Sequence, residues 1–120
     1  MYLVTGGAGF IGSHITATLV SSGERVRVFD NFSSGNRPNL SGVEAEVEVV
    51  EGDILDYEAV KKTARDVGVI FHQAALRSVP FSVAQPTLVN KVNVEGTLVV
   101  LTAARDAGVK RLVYASSLSA

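Results

Sequence analysis

The chain has 120 residues, 47% hydrophobic and 19% charged, with a formal net charge of −1; this builds one globular domain with a real core, but is short for separate cofactor and substrate lobes. It contains no cysteine, which excludes disulfides, thiolate metal sites and cysteine nucleophiles. Basic residues gather only in the doublets Lys61-Lys62 and Lys110-Arg111, too few for a nucleic-acid stripe; no apolar run approaches the roughly 18 residues of a membrane span, and the strand expected right after Met1 leaves no room for a leader, so the expectation is a cytoplasmic protein.

Apolar runs alternate with helical patterns from end to end, which predicts a parallel sheet wound by crossover helices. Strand one is Tyr2–Thr5, and the glycines Gly6-x-x-Gly9-x-x-Gly12 follow it at once. The next helix, Phe10 to Ser22, is expected to point Ile11, Ile15 and Leu19 inward and to stop at Gly23. Strand two is Arg25–Asp30. The stretch Asn31–Gly42 is rich in Ser, Asn, Gly and Pro and reads as a surface loop. Strand three, Ala45–Glu51, alternates acidic with apolar residues, the pattern of a strand with one wet face at a charge-guarded sheet edge. A short helix over Tyr57–Arg65 leads to strand four, Val67–Gln73, apolar as a central strand should be. After a loop at Ala74–Gln85, Pro86 opens a long helix that buries Val89, Val92, Gly96, Val99, Val100 and Ala103, and Gly108 closes it. Strand five is Arg111–Ala115.

These elements predict an α/β fold, a Rossmann-type doubly wound parallel sheet in the order 3-2-1-4-5, with residues 1–120 forming one dinucleotide-binding domain. Strand five then stands as an uncovered apolar edge, a liability that complete domains cover. The expectation is the N-terminal portion of a longer protein, marginally stable or self-associating when isolated.

A strand, a glycine-rich bend and a helix in this order form a place for a dinucleotide's diphosphate. Glycine permits the tight turn and the close approach of main chain to phosphate, and the helix N-terminus offers free N–H groups to the anion. Asp30 ends the next strand eighteen positions after Gly12, where a carboxylate accepts hydrogen bonds from the adenosine ribose and repels a 2′-phosphate. NAD is therefore expected over NADP, with Arg37 as the nearby residue that can accommodate that phosphate. Asn31, Ser34 and Gly35 supply small polar groups on the adenosine side or simply make the turn. Asp53-Ile54 flanks the adenine or, in the case of Asp53, caps the helix that starts near Tyr57. His72-Gln73-Ala74-Ala75 lies at the carboxyl end of strand four, where two alanines leave room for a ribose or nicotinamide. His72 and His14 read as structural residues. Asn93 needs its amide fully hydrogen-bonded on the inward side of the long helix and so ties neighbouring loops together around the cofactor. Ser116 and Ser117 end strand five on the ligand side, where a hydroxyl can donate to a substrate oxygen whose charge changes during oxidation.

With Thr5-Gly6-Gly7-Ala8-Gly9-Phe10-Ile11-Gly12, Asp30-Asn31, Gly52-Asp53-Ile54, His72-Gln73-Ala74-Ala75, Asn93-Val94-Glu95-Gly96-Thr97 and Ala115-Ser116-Ser117 in register, the chain resembles the extended short-chain dehydrogenase/reductases. Within them it is most similar to the NAD-dependent nucleotide-sugar epimerase/dehydratase group. Its segment His72–Pro86, with Arg77-Ser78-Val79-Pro80, looks most like UDP-hexose and UDP-N-acetylhexosamine 4-epimerases.

The resemblance implies that Phe10 and Ile11 sit over the pyrophosphate, Asp30 through Gly35 surround the adenosine, and Asp53-Ile54 meets the adenine. It also implies that Gln73, Ala74, Ala75, Leu76 and Arg77 run along the nicotinamide ribose, and that Ser117 is the serine of the catalytic triad. In that family a tyrosine deprotonates the sugar's 4-hydroxyl while hydride passes to NAD, and the transient ketone turns and takes the hydride back on its other face. The sequence ends before the family's Tyr-x-x-x-Lys, whose proton transfer alone is worth roughly 10²–10⁴-fold, and Leu118 stands where a small or polar residue is common. The implied protein is the NAD-binding portion of a nucleotide-sugar 4-epimerase, inactive by itself, whose parent is a homodimer acting on a UDP-sugar without nucleic-acid or membrane partners. A 4,6-dehydratase would carry Thr-Asp-Glu where Ser117-Leu118-Ser119 stands, and a non-catalytic dinucleotide-sensing module would use the same pocket.

Overall fold

The computed structural model describes residues 1–7, 10–32, 40, 42–73 and 94–114. In chain order they form β1 (Tyr2–Thr5), α1 (Phe10–Ser21), β2 (Val26–Asp30), a 3₁₀ turn (Glu44–Glu46), β3 (Glu48–Glu51), α2 (Tyr57–Thr63), β4 (Val69–His72), α3 (Gly96–Ala107) and β5 (Arg111–Tyr114). The strands make one sheet, all parallel, in the order β3-β2-β1-β4-β5, the order expected from the sequence. No helix among the described residues is long and apolar enough to cross a membrane.

Successive strand residues face opposite sides of the sheet, and the core divides accordingly. Leu3, Phe29 and Ile70 join Val60 and Ala64 of the α2 region and Val100, Ala103 and Ala104 of α3 in one buried cluster. Val4, Val26 and Val28 pack with Leu40 on the other face, where Ile15 and Leu19 of α1 lie against them. Arg27 ties the sheet to a helix end: its Nε donates to Glu48 Oε2 at 2.9 Å, and its Nη1 to the carbonyls of Thr63 and Arg65. A cation is favoured there, beside carbonyls that the helix leaves unpaired.

Several boundaries differ from the sequence expectation. The strand expected over Ala45–Glu51 is only Glu48–Glu51, and its first half is the 3₁₀ turn. The cause is pairing, because β2 offers partners from Arg27, opposite Glu48, to Asp30, opposite Glu51. The helix expected to reach Arg65 ends at Thr63, and Asp66 follows in the left-handed region at φ 64°. The strand expected over Val67–Gln73 is Val69–His72, since Val67 N–H still closes the turn onto Ala64 O and Gly68 N–H bonds Met1 O. Asp53 does not cap α2. Asp56 does, accepting from Ala59 N–H, while Asp53 Oδ1 accepts from Leu55 N–H at 2.9 Å. Gly23 and Gly108 end their helices as expected, at φ 81° and 79°. Of the long helix expected from Pro86, residues 86–93 lie outside the described residues.

The apolar stripe of α1 is also rotated from the expected one. Gly12 and Thr16 are buried, Ile15 and Leu19 are half-buried, and Ile11 is 45% exposed. Gly12 is the point of closest approach to β1's turn, so it takes the centre of the contact and swings Ile11 to the rim. Thr16, held by its hydroxyl to Gly12 O at 2.8 Å, follows on the same side.

Between α2 and α3, the Tyr57 hydroxyl donates to Asp106 Oδ2, and Lys61 Nζ lies 5.9 Å from the Tyr57 ring centre. The hydrogen bond to Asp106 raises the Tyr57 phenol above its ordinary 10.0, and the same bond is the first cause holding Asp106 below its ordinary 3.8. A raised acid pKa stabilises the fold below the unfolded value and loses that contribution as pH rises through the folded one; a depressed carboxylate loses its share as pH falls. Tyr57→Phe is therefore expected to lower urea stability by a constant amount between roughly pH 5 and 9, with the difference from the parent chain shrinking at both extremes. Both groups are exposed, so the effect is small. A pH-independent difference in a urea titration series would overturn the assignment.

Candidate functional site

The strand register brings the chemistry to one edge of the sheet. Thr5 stands opposite Phe29 on one side and His72 on the other, and Asp30 stands opposite Glu51. The ladder runs one residue past each strand: Gly6 N–H bonds Phe29 O, Gly52 N–H bonds Asp30 O, and Gln73 N–H bonds Thr5 O, all at 2.8–3.0 Å. Gly6, Asp30-Asn31, Gly52-Asp53 and Gln73 therefore share the carboxyl edge. Between β2 and β4 the chain reverses its direction of winding about β1, and such a switch point leaves a crevice above the strand ends.

At this crevice Gly6 adopts φ 69°, a left-handed conformation that favours glycine. Gly12, in the first turn of α1, lies so close to that bend that a Cβ would stand 2.1 Å from Gly6 O and 2.9 Å from Gly7 Cα. The two glycines let the start of α1 pack directly against the bend, with the helix N-terminus on the side of the carboxyl edge. That is a cradle for an anion.

Asp30 is buried, with 7% of its surface exposed, and its Oδ1 accepts from Phe32 N–H at 2.7 Å. That bond spans a turn in which Phe32 takes φ 59°. The carboxylate is thus fixed at the end of β2 rather than swinging in solvent. Asn31 and Asp53 are exposed beside it. Ile54 is buried at 5% exposure in the cluster under α2 and α3, and a Cβ at Gly96 would lie 2.4 Å from its Cδ1. Its side chain anchors the turn against α3, while Asp53 next to it is exposed and accepts from Leu55 N–H.

His72 is buried at 3% exposure. Its Nδ1 lies 2.7 Å from Thr5 Oγ1 and its Nε2 3.3 Å from Thr97 Oγ1, and Thr5 Oγ1 also accepts from Gln73 N–H at 3.0 Å. The structural part expected for His72 agrees with this. Sequence reasoning gave the two threonines no role; the hydroxyl residue directly before the glycine bend was the available signal.

Of the expected site residues, the structure brings Gly6, Gly12, Asp30, Asn31, Asp53 and Gln73 to the crevice edge, with Phe10 and Ile11 opening α1. Gly9, Ser34, Gly35, Ala74, Ala75, Leu76, Arg77, Asn93 and Ser117 lie outside the described residues, as does Arg37.

A parallel sheet in the order 3-2-1-4-5, with a glycine cradle at its switch point and a fixed carboxylate ending the second strand, defines a Rossmann-type dinucleotide-binding fold. The chain belongs to the NAD dependent epimerase/dehydratase family, whose model matches residues 2–120. The UDP-glucose 4-epimerase of Streptomyces lividans is 41% identical over 119 residues, which are 97% of this chain and 35% of that one. The structure of the Thermus thermophilus UDP-glucose 4-epimerase in complex with NAD superposes with a TM-score of 0.88 at 44% identity, covering 96% of this chain and 37% of that one. A dTDP-glucose 4,6-dehydratase from Streptomyces venezuelae with NAD bound gives a TM-score of 0.88 at 40% identity over 92% of this chain and 37% of that one. The chain thus spans little more than a third of the length of these relatives.

Proposed function

We propose that the chain is the NAD-binding portion of a nucleotide-sugar 4-epimerase. The observation that carries the cofactor assignment is the close approach of Gly12 to the Gly6 bend, which seats the start of α1 against the bend in a contact that no side chain fits. The residues fit the group. Gly6, Gly12 and the first turn of α1 would hold the diphosphate, with Phe10 and Ile11 beside it. Asp30 would accept from the adenosine ribose hydroxyls, and Asn31 and Asp53 would line the adenine side. Ser34 and Gly35 belong to the adenosine side in the same reading, Gln73 through Arg77 to the nicotinamide ribose, and Asn93 to the loops around it.

When bound, NAD supplies a reversible hydride acceptor for the carbon bearing the sugar's 4-hydroxyl. Ser117 would hydrogen-bond that oxygen as it gains and loses its proton. The base of this reading is a tyrosine followed by lysine at the fourth position, roughly 25 to 30 positions after Ser117; the one such spacing within these 120 residues, Tyr57 to Lys61, lies on α2, where the phenol is held by Asp106. A UDP-sugar substrate, a homodimeric parent and a cytoplasmic setting go with the assignment. Support for epimerase over dehydratase comes from Ser117-Leu118-Ser119, where the dehydratase pattern is Thr-Asp-Glu.

Calorimetric titration with NAD and NADP tests the reading. The parent chain is expected to bind NAD more tightly. Asp30→Asn keeps an oxygen for Phe32 N–H but removes the charge, and should weaken NAD by about tenfold or more, the worth of a hydrogen bond to an ionised group. Tighter binding of NADP by the parent chain would overturn the role of Asp30.

A further inference from the structure

We propose that His72 is a positioning residue for the dinucleotide, working as a hydrogen-bonded bridge between Thr5 and Thr97. The inference rests on the cofactor reading above and goes further by giving a function to a group buried beneath the crevice. Thr5 immediately precedes the Gly6 bend, Gln73 begins the segment after β4, and Thr97 lies in the first turn of α3. One imidazole touches the hydroxyls of both threonines, at 2.7 Å and 3.3 Å, and the nearer hydroxyl also holds Gln73 N–H at 3.0 Å. The bridge therefore sets the height of β4's end relative to the glycine bend and to the start of α3.

Thr5 Oγ1 accepts from Gln73 N–H, and each threonine hydroxyl both donates and accepts, so the ring meets both threonines whichever nitrogen carries the proton. A buried polar group is worth its place only while its partners are kept. Losing either end frees the imidazole to turn and lets α3's first turn drift from β4.

A core histidine that only fills space would show itself in stability alone. The positioning role is read in cofactor affinity of the folded chain and in the tautomer. Nitrogen-15 NMR of the imidazole at neutral pH is expected to show a single tautomer held by the two hydroxyls, whereas the mixed tautomers of a freely exchanging ring would overturn the bridge. In NAD titrations well below each variant's melting temperature, His72→Leu and Thr97→Val are each expected to weaken binding by about tenfold, the worth of one or two buried hydrogen bonds. His72→Gln, whose amide nitrogen reaches toward Thr97, should recover part of the loss. If His72→Leu does not fold, Thr97→Val and His72→Gln decide the matter, because both leave most of the core volume in place. Variant affinities within twofold of a parent chain that binds NAD overturn this inference alone. A folded parent chain that binds no NAD overturns the cofactor reading and this inference with it.

Discussion

A chain carrying Gly12→Ala is expected to lose NAD affinity by at least about a hundredfold and to unfold at lower urea. The new Cβ would stand 2.1 Å from Gly6 O, 2.8 Å from Gly6 C and 2.9 Å from Gly7 Cα. All three are main-chain atoms, so no side-chain rotation relieves the overlap. Helix α1 has to retreat from β1, and the retreat carries its first-turn N–H groups away from the anion they would hold. Overpacking of this kind costs about 1–3 kcal/mol and more against rigid neighbours. Gly42→Ala is the control, since nothing lies within 4 Å of a Cβ there; it should match the parent chain in urea titration and in calorimetry. An alanine at position 12 that leaves both measurements unchanged would remove the cradle.

Phe29→Ala is expected to destabilise the fold by about 3–5 kcal/mol, the cost of deleting a large buried ring. Phe29 is 1% exposed in the cluster beneath α2 and α3, and its ring sits where a Cβ on Gly52 would lie 2.7 Å away. It supports Asp30 as the preceding residue of β2, and the Gly52-Asp53 turn by contact. Truncation therefore removes the floor under two groups assigned to the adenosine. NAD affinity measured on the folded chain should fall as well, whereas Val100→Ala, in the same cluster but on α3, should cost stability with little effect on affinity. Equal affinity losses for the two would show that the ring acts only through global stability.

The sheet order was legible because each strand carries its own signature. Central β1 and β4 are apolar, and punctuation by Gly6, Gly23 and Gly108 marks the ends of elements. Boundaries that depend on a partner were not legible. Glu44 through Val47 alternate as a strand would, yet pairing with β2 begins only at Glu48, opposite Arg27. The face of α1 was misjudged for a related reason. Ile11, Ile15 and Leu19 make an apolar stripe by sequence, but the helix settles where its glycine allows the nearest approach, and Ile11 is left at the rim. The sequence reading offers Asp53 as a cap for α2, and only the backbone turn decides that Asp56 takes Ala59 N–H. At the site, Gly6, Gly12 and Asp30 announced themselves through spacing. The bridge through His72 did not, because Thr5, His72 and Thr97 lie 67 and 25 positions apart and meet only when β4 slides in beside β1.

The turn after β3 separates two duties. Ile54 is sunk into the interior against Gly96, while Asp53 next to it is exposed. In the proposed reading, the outward residues Asn31 and Asp53 are where an engineer would retune the adenine corner, with Asp53 limited to residues that still accept from Leu55 N–H. Changes at 54 or 96 would reach the same corner only by shifting the building itself.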